Sequence, residues 1–147
     1  MGRRPRCRRD RTMPEIRIEI RQVAVSTSEA TIRRHKVLVD RPEAKGGADQ
    51  GPMGGDYFLA AVGGCFMSTL LAAIRTREAD VRNVRTEVTG TLVENPTRFS
   101  AVSLEETGDY ADADLFKHLV EIAERGCIMV NTLRDRVDFT VTTGVPV

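Results

Sequence analysis

The chain has 147 residues, 41% hydrophobic and 29% charged, a balance typical of one globular domain and not of a disordered protein. Its net charge of +1 combines two unequal parts, because residues 1–12 hold six arginines against one aspartate and the remainder is mildly acidic. An acidic body argues against nucleic-acid binding, and three cysteines are too few for a secreted disulfide scaffold. We therefore expect a cytoplasmic protein.

The arginine-rich start is predicted to be a disordered extension, residues 1–14, in front of a single domain at 15–147. A tail that binds nucleic acid or a membrane surface is the alternative reading of the same arginines. No apolar segment follows them, so a secretory signal is not expected. We also expect no membrane span, because Gly63-Gly64 interrupts the longest apolar stretch before it reaches about 18 residues.

Alternation of apolar and polar residues predicts the strands of the domain. In the first, isoleucines at positions 16, 18 and 20 alternate with charged residues, which indicates a half-buried strand. The Gly- and Pro-rich residues 41–55 are predicted to form a loop. The five predicted strands are residues 15–25, 30–40, 82–94, 97–107 and 137–143.

Three helices complete the predicted order β-β-α-β-β-α-α-β, an α+β fold with mostly antiparallel sheets. The helix at 56–78 is apolar on nearly every face, which predicts burial on all sides, inside the domain or at a subunit interface. Asp112 is expected to cap a helix that ends near Arg125. Gly126 then interrupts it, and a short helix is predicted from Cys127 to Leu133.

The chemistry that the residues suggest centres on Cys65 and Cys127, each of which directly follows a glycine. A pair of thiols indicates redox chemistry, although two buried cysteines acting as small apolar side chains fit the pattern as well. Cys127 begins a helical stretch, where unpaired backbone N–H groups favour a thiolate. Gly63 and Gly64 admit either a substrate or a closely packed neighbouring helix.

The other side chains give little support for a metal or cofactor. His35 and His118 are the only histidines, and no metal-ligand spacing or phosphate-binding loop is present. We therefore expect neither a metal nor an organic cofactor.

Three segments, residues 39–52, 59–65 and 123–133, resemble the OsmC-like family, which includes the organic hydroperoxide resistance proteins. The resemblance is carried by an Ala/Gly-rich run ending in Cys65 and by the box Ala-Glu-Arg-Gly-Cys-Ile-Met-Val-Asn-Thr-Leu around Cys127. It implies an intertwined α+β homodimer in which sheets wrap two long central helices. It also implies thiol peroxidase chemistry.

By position, the resemblance makes Cys65 the peroxidatic cysteine and Cys127 the resolving one. It assigns an active-site arginine to Arg34, or to its neighbour Arg33, and an acidic residue to Asp56. The hydroperoxide-resistance branch carries Asn-Pro-Glu where this chain has Met53-Gly54-Gly55.

Two functions are consistent with these residues. The first is a peroxidase in stress defence that reduces organic hydroperoxides, is recycled by an external dithiol, and has apolar walls formed by Phe58, Phe66, Met67 and Met129. The second is a stress-related protein that binds a small hydrophobic ligand with little turnover.

Overall fold

The computed structural model of the chain describes residues 14–144. The chain divides into two compact units, residues 1–53 and 54–147. The extension predicted at 1–14 lies outside the described residues, Pro14 excepted. The single domain predicted at 15–147 stays a prediction.

The first unit contains a three-stranded antiparallel sheet in the order β1-β2-β3, followed by a 3-10 turn at Glu43–Lys45. Its strands are β1 (Glu19–Gln22), β2 (Ser28–Ile32) and β3 (His35–Val39). The single strand predicted at 30–40 is wrong, because β2 and β3 form a hairpin in which Ile32 pairs with His35. Arg33 turns the chain at a φ of 55°. The sequence pattern did not predict this turn, because neither Arg33 nor Arg34 is a residue that favours turns.

The first predicted strand is also shorter than expected, and its apolar side chains are exposed in this chain. Ile16 is 90% exposed, and Ile18 and Ile20 are more than half exposed. This chain by itself covers neither face of the strand, so the predicted half-burial, which does not specify the chain that covers the face, stays a prediction.

The second unit combines a sheet of order β4-β5-β6 with three helices. β4 and β5 form a long antiparallel hairpin, and β6 runs parallel to β5. The elements are α1 (Gly54–Thr76), β4 (Val81–Val93), β5 (Arg98–Tyr110), α2 (Ala113–Gly126), α3 (Ile128–Leu133) and β6 (Asp138–Thr143). The α+β fold is confirmed, with one strand more than the predicted order.

The core of the second unit lies between its sheet and its helices. Val102 and Leu104 of β5 are fully buried together with Phe66 and Leu70 of α1 and Phe116 of α2. Asp112 caps α2 as predicted, since its side chain accepts a hydrogen bond from the backbone N–H of Leu115 at 2.9 Å.

The two adjacent glycines of α1 differ in their surroundings. A Cβ atom on Gly63 would lie 2.5 Å from Cγ2 of Val88, so α1 packs closely on β4 at this residue. A Cβ atom on Gly64 would meet nothing within 4 Å. Of the two readings of this pair, close packing applies to Gly63.

Within this chain α1 is buried on one side and exposed on the other, so burial on all sides inside the domain is wrong, and burial of the exposed side at a subunit interface stays a prediction. Its buried residues are Val62, Gly63, Phe66, Leu70, Ala73 and Ile74. Its central exposed residues are Ala60, Ala61, Gly64, Ser68 and Leu71. All of the exposed residues except Leu71 are small or polar. Because alanine is both small and apolar, the sequence of α1 does not separate its exposed side from its buried side.

α1 is also long and apolar enough to cross a membrane, by length and composition alone. The expectation that no segment reaches this limit was wrong, because glycine, serine and threonine interrupt the apolar run without lowering its mean hydropathy sufficiently. The core helix of a soluble protein meets the same criterion, and α1 contributes six residues to a packed core.

Candidate functional site: a thiol pair on two helical segments

The structure brings the side chains of Cys65 and Cys127 into contact. The Sγ of Cys127 donates a hydrogen bond to the Sγ of Cys65 at 3.3 Å, although the residues are 62 positions apart in the chain. Both cysteines are free thiols. Cys127 is fully buried, whereas Cys65 is only half-buried. The pair therefore has an accessible member and an inaccessible one.

Cys127 is held at an elbow between α2 and α3. It is at once the C-cap of α2 and the N-cap of α3, with an extended backbone at φ −78° and ψ 120°. The side-chain amide of Asn131 donates to the carbonyl of Arg125 at 3.1 Å, and the backbone N–H of Asn131 donates to the carbonyl of Cys127 at 3.0 Å. The first bond joins α3 to the last turn of α2 across the interruption, and the second is the first backbone hydrogen bond of α3.

The neighbouring turn of α1 packs against this elbow. A Cβ atom on Gly126 would lie 3.2 Å from Cγ2 of Thr69, so the glycine lets the elbow approach α1. The hydroxyl of Thr69 donates to the carbonyl of Cys65 at 3.0 Å, one turn back on the same helix. This approach places the two sulfur atoms side by side.

The electrostatics of Cys127 differ from the sequence-based expectation. Burial raises the pKa of the Cys127 thiol, and the adjacent Cys65 raises it further. The backbone N–H groups of Val130 and Met129 lower the pKa, but not enough to offset burial. The start of a six-residue helix therefore does not make Cys127 a thiolate, and this residue stays protonated at neutral pH.

The other two predicted site residues, Asp56 and Arg34, lie in different units of the chain. Asp56 is exposed in the first turn of α1, nine residues before Cys65. At 3.6 residues per turn, nine residues are two and a half turns, so the side chains of Asp56 and Cys65 leave the helix on opposite sides. Arg34 is exposed at the turn between β2 and β3 of the first unit, next to Arg33.

The predicted apolar walls are only partly available. Phe66 is fully buried in the core of the second unit and cannot line an open site. Phe58 is partly buried and stacks on Phe99, with ring centroids 5.3 Å apart. Met67 and Met129 are partly buried.

Sequence reasoning missed one buried ionisable residue, Glu106 of β5. It is fully buried, and its Oε2 accepts a hydrogen bond from the hydroxyl of Thr86 at 2.7 Å. Burial raises the pKa of Glu106 to about 7, against the opposing effect of the Thr86 hydrogen bond. The signal was the alternation that buries Val102 and Leu104, since one further step along β5 reaches Glu106.

Across residues 14–144, no three His, Cys, Asp or Glu side chains come together in a group that could hold a metal ion. The two histidines are exposed, His35 on β3 and His118 on α2.

A family profile described as OsmC-like protein matches residues 46–142, which include both cysteines. The chain belongs to the OsmC-like family. None of the curated protein sequences gives a significant match to it.

Solved structures of similar fold include an OsmC-like protein from Mycoplasma pneumoniae, 15% identical, with a TM-score of 0.79 over 91% of this chain and 99% of that chain. An organic hydroperoxide resistance protein from Legionella pneumophila is 18% identical, with a TM-score of 0.70 over 90% and 98%. Another, from Elizabethkingia anophelis, is 20% identical, with a TM-score of 0.69 over 91% and 98%. At these identities the likeness shows the fold alone, which is the OsmC-like fold.

Proposed function

We propose that this OsmC-like protein is a thiol-dependent peroxidase that reduces organic hydroperoxides in stress defence. The observation that carries the proposal is the 3.3 Å contact between the sulfur atoms of Cys65 and Cys127. Two free thiols at this distance need only a small approach to form a disulfide, whose S–S bond is about 2.05 Å long. Family members named for organic hydroperoxide resistance support the choice of substrate.

The difference in exposure supports the proposed roles of the two cysteines. Cys65 is the sulfur that a peroxide can reach, and Cys127 is buried and protonated behind it. The Cys65 thiolate attacks one peroxide oxygen and the O–O bond breaks. The leaving alkoxide takes a proton and departs as the alcohol, and Cys65 becomes a sulfenic acid.

Cys127 completes the cycle. Its sulfur gives up a proton and attacks the Sγ of Cys65, and the sulfenic oxygen leaves as water while the S–S bond forms. An external dithiol then reduces the disulfide by two successive exchanges and becomes a disulfide itself. Neither a metal nor an organic cofactor enters this cycle.

The remaining roles rest on the family resemblance. Arg34 is proposed to stabilise the thiolate and polarise the peroxide, and Asp56 to orient the arginine. A cytoplasmic homodimer is part of the same proposal. The exposed apolar side chains of Ile16, Val25 and Leu71 support it, since a second copy would cover such residues.

The decisive experiment is stopped-flow oxidation of the reduced protein by an alkyl hydroperoxide, followed by mass spectrometry of the cysteines. We expect Cys65→Ser to abolish the reaction even in a single turnover, because a hydroxyl is a far weaker nucleophile than a thiolate. Cys127→Ser should complete one turnover and leave Cys65 as a sulfenic acid open to over-oxidation. Arg34→Ala, compared with Arg33→Ala, tests which arginine takes part.

Two results would contradict the proposal. If Cys65→Ser reacts as fast as the parent protein, the roles of the cysteines are wrong. If the parent reacts no faster than a free thiol, the protein is not a peroxidase, and binding of a small hydrophobic ligand becomes the better reading of the same fold.

A further inference from the structure

Glu106 is a buried carboxyl group that the thiol chemistry does not use. Its side chain has no exposed surface, and Thr86 donates a 2.7 Å hydrogen bond to Oε2. Its Oε1 is buried without a hydrogen-bond partner among residues 14–144. A buried carboxylate is stable only with a cation or with several donors, so this surrounding favours the neutral acid.

The groups that face Glu106 offer no compensating charge. On β4 its partner is Thr86, whose neighbours Arg85 and Glu87 are exposed. On β6 its partner is Thr143, and the N–H of Gly144 donates to the backbone carbonyl of Glu106 and not to the side chain.

The helices over this face of the sheet bring apolar residues. None of the buried residues of α1 and α2 carries a titratable group: they are Val62, Gly63, Phe66, Leu70, Ala73, Ile74, Phe116, Leu119, Val120 and Ala123. The titratable groups of the same core are Tyr110 on β5 and the two thiols. The Tyr110 hydroxyl donates to the carbonyl of Gly144 at 3.2 Å. Among the described residues, the buried polar or charged side chains are Thr27, Asp40 and Glu106, so no buried cation pairs with the carboxyl group.

Thr86 links Glu106 to the helix that carries Cys65. A Cβ atom on Gly63 would lie 3.8 Å from Cγ2 of Thr86 and 2.5 Å from Cγ2 of Val88, so α1 rests on β4 directly beside the Thr86–Glu106 hydrogen bond. The carboxyl group of Glu106 has no exposed surface, so an ionised carboxylate in this packing would lack the water or donors that it needs. We therefore expect ionisation of Glu106 to separate α1 from β4 at Gly63, or to admit water between them.

We propose that Glu106 is a pH-sensitive switch beneath α1: as a neutral acid it permits the close packing of Gly63 on β4, and as an anion it loosens that packing. This inference concerns the stability and packing of the second unit and does not depend on peroxidase activity.

The direction of the pH effect follows from the folded and unfolded states. The pKa of Glu106 is about 7 in the fold and near its ordinary value of 4.5 in the unfolded chain. Between these values the folded protein binds the proton that the unfolded chain has lost, so stability falls as pH rises through this window and levels off above it. The folding equilibrium constant is expected to fall by roughly two orders of magnitude across the window.

The test is urea unfolding of the reduced full chain and its Glu106→Gln variant between pH 4.5 and 8. The glutamine side chain keeps the shape of the acid and an acceptor for the Thr86 hydroxyl, but it cannot ionise. We expect the folding equilibrium constant of the parent to fall relative to that of Glu106→Gln by roughly 10- to 300-fold over this range. Glu105→Gln is the matched control, because Glu105 is the adjacent, exposed residue of β5, and it should keep the parent profile. Parallel profiles for the parent and Glu106→Gln would overturn the inference.

A second measurement decides the matter if Glu106→Gln does not fold. The side-chain carboxyl carbon of Glu106 can be titrated by NMR in the unaltered protein. An inflection near pH 7, together with faster hydrogen exchange of the α1 amides around Gly63 above that pH, supports the switch. An inflection below pH 5, or exchange rates around Gly63 with only the intrinsic pH dependence, refutes it.

Discussion

Asp40 and Glu106 are both buried carboxyl groups, one in each unit of the chain, and their pKa values shift in opposite directions. Asp40, 3% exposed, accepts hydrogen bonds from the Thr27 hydroxyl and from the backbone N–H groups of Arg41, Ala48 and Gln50, at 2.7–3.2 Å. Burial alone would raise the pKa of Asp40, but hydrogen bonds from Gln50, Arg41, Ser26 and Thr27 outweigh it and lower the pKa to about 2. Glu106 has one donor, and burial raises its pKa to about 7.

The number of donors thus decides the charge of a buried carboxyl group in this protein. Asp40 is an anion that the backbone of the 41–50 segment surrounds, so its charge organises the Gly- and Pro-rich loop. Glu106 lies between strands whose backbone donors are already used in the sheet, and a single hydroxyl remains for it. One group stabilises the protein as an ion, and the other as a neutral acid.

The largest effect is expected from removal of the Asp40 side chain. Asp40→Ala leaves three backbone N–H groups of the loop without their acceptor, and we expect the Tm to fall by about 5–10 °C. Glu43→Ala is the control, because Glu43 is exposed in the same loop and should change the Tm little. Equal, small changes for both variants would show that Asp40 does not organise the loop. Calorimetry measures both.

The second-largest effect is expected from filling the close contact between Gly63 of α1 and β4, beside Glu106. Gly63→Ala places a methyl group 2.5 Å from Cγ2 of Val88, and we expect the free energy of unfolding to fall by about 1–3 kcal/mol. Gly64→Ala is the matched control, because nothing lies within 4 Å of its added Cβ and alanine favours a helix, so stability should rise by up to about 1 kcal/mol. A neutral result for Gly63→Ala in urea unfolding would mean that the core has room to hydrate an ionised Glu106.

Replacing both Thr86 and Glu106 with apolar residues should offset the loss of stability that is expected when Thr86 alone is replaced. Thr86→Val alone removes the single hydrogen bond to the carboxyl group, and we expect it to lower the free energy of unfolding by about 1–3 kcal/mol. Combined with Glu106→Met, the same change should restore the parent value at pH 8 or exceed it by about 1 kcal/mol, because no buried polar atom is left. A double variant less stable than Thr86→Val would contradict this account.

The smallest effect is expected from the loss of the Asp40 charge at acid pH. Its pKa is depressed in the fold, so its contribution to stability is present above its ordinary value of 3.8 and is lost as pH falls toward about 2. The Tm difference between the parent and Asp40→Asn should therefore shrink by about 2–4 °C between pH 5 and pH 2. A difference that stays constant across this range would mean that Asp40 keeps an ordinary pKa.

Local sequence signals predicted the elements that local rules control. The Asp112 cap follows from one residue type at one position and is found where expected. The interruption predicted at Gly126 lies one residue later, at Cys127, because Gly126 still belongs to α2. The hairpin at Arg33 was missed because its left-handed φ falls on a residue that carries no turn signal. The parallel pairing of β6 with β5 joins segments distant in sequence, which alternation does not specify.

The candidate site was predictable to the extent that the family resemblance names its cysteines. The contact between Cys65 and Cys127 depends on the close approach of Gly126 to Thr69, which is a tertiary feature. The charge of Cys127 was predicted wrongly from its place at a helix start, because burial by surrounding elements outweighs the local N–H groups. The alternation along β5 indicates that Glu106 is buried, but only the fold shows which hydrogen-bond donors remain for its carboxyl group.

The 62-residue separation between the paired thiols has a thermodynamic consequence of its own. A disulfide between them would close a loop containing β4, β5 and α2, nearly half of the chain. In the chain-entropy treatment, a covalent link over a loop of this length reduces the entropy of the unfolded chain and stabilises the fold by about 4 kcal/mol. Oxidation would thus raise the Tm of the protein, and each reduction would return it to the lower Tm of the free-thiol form.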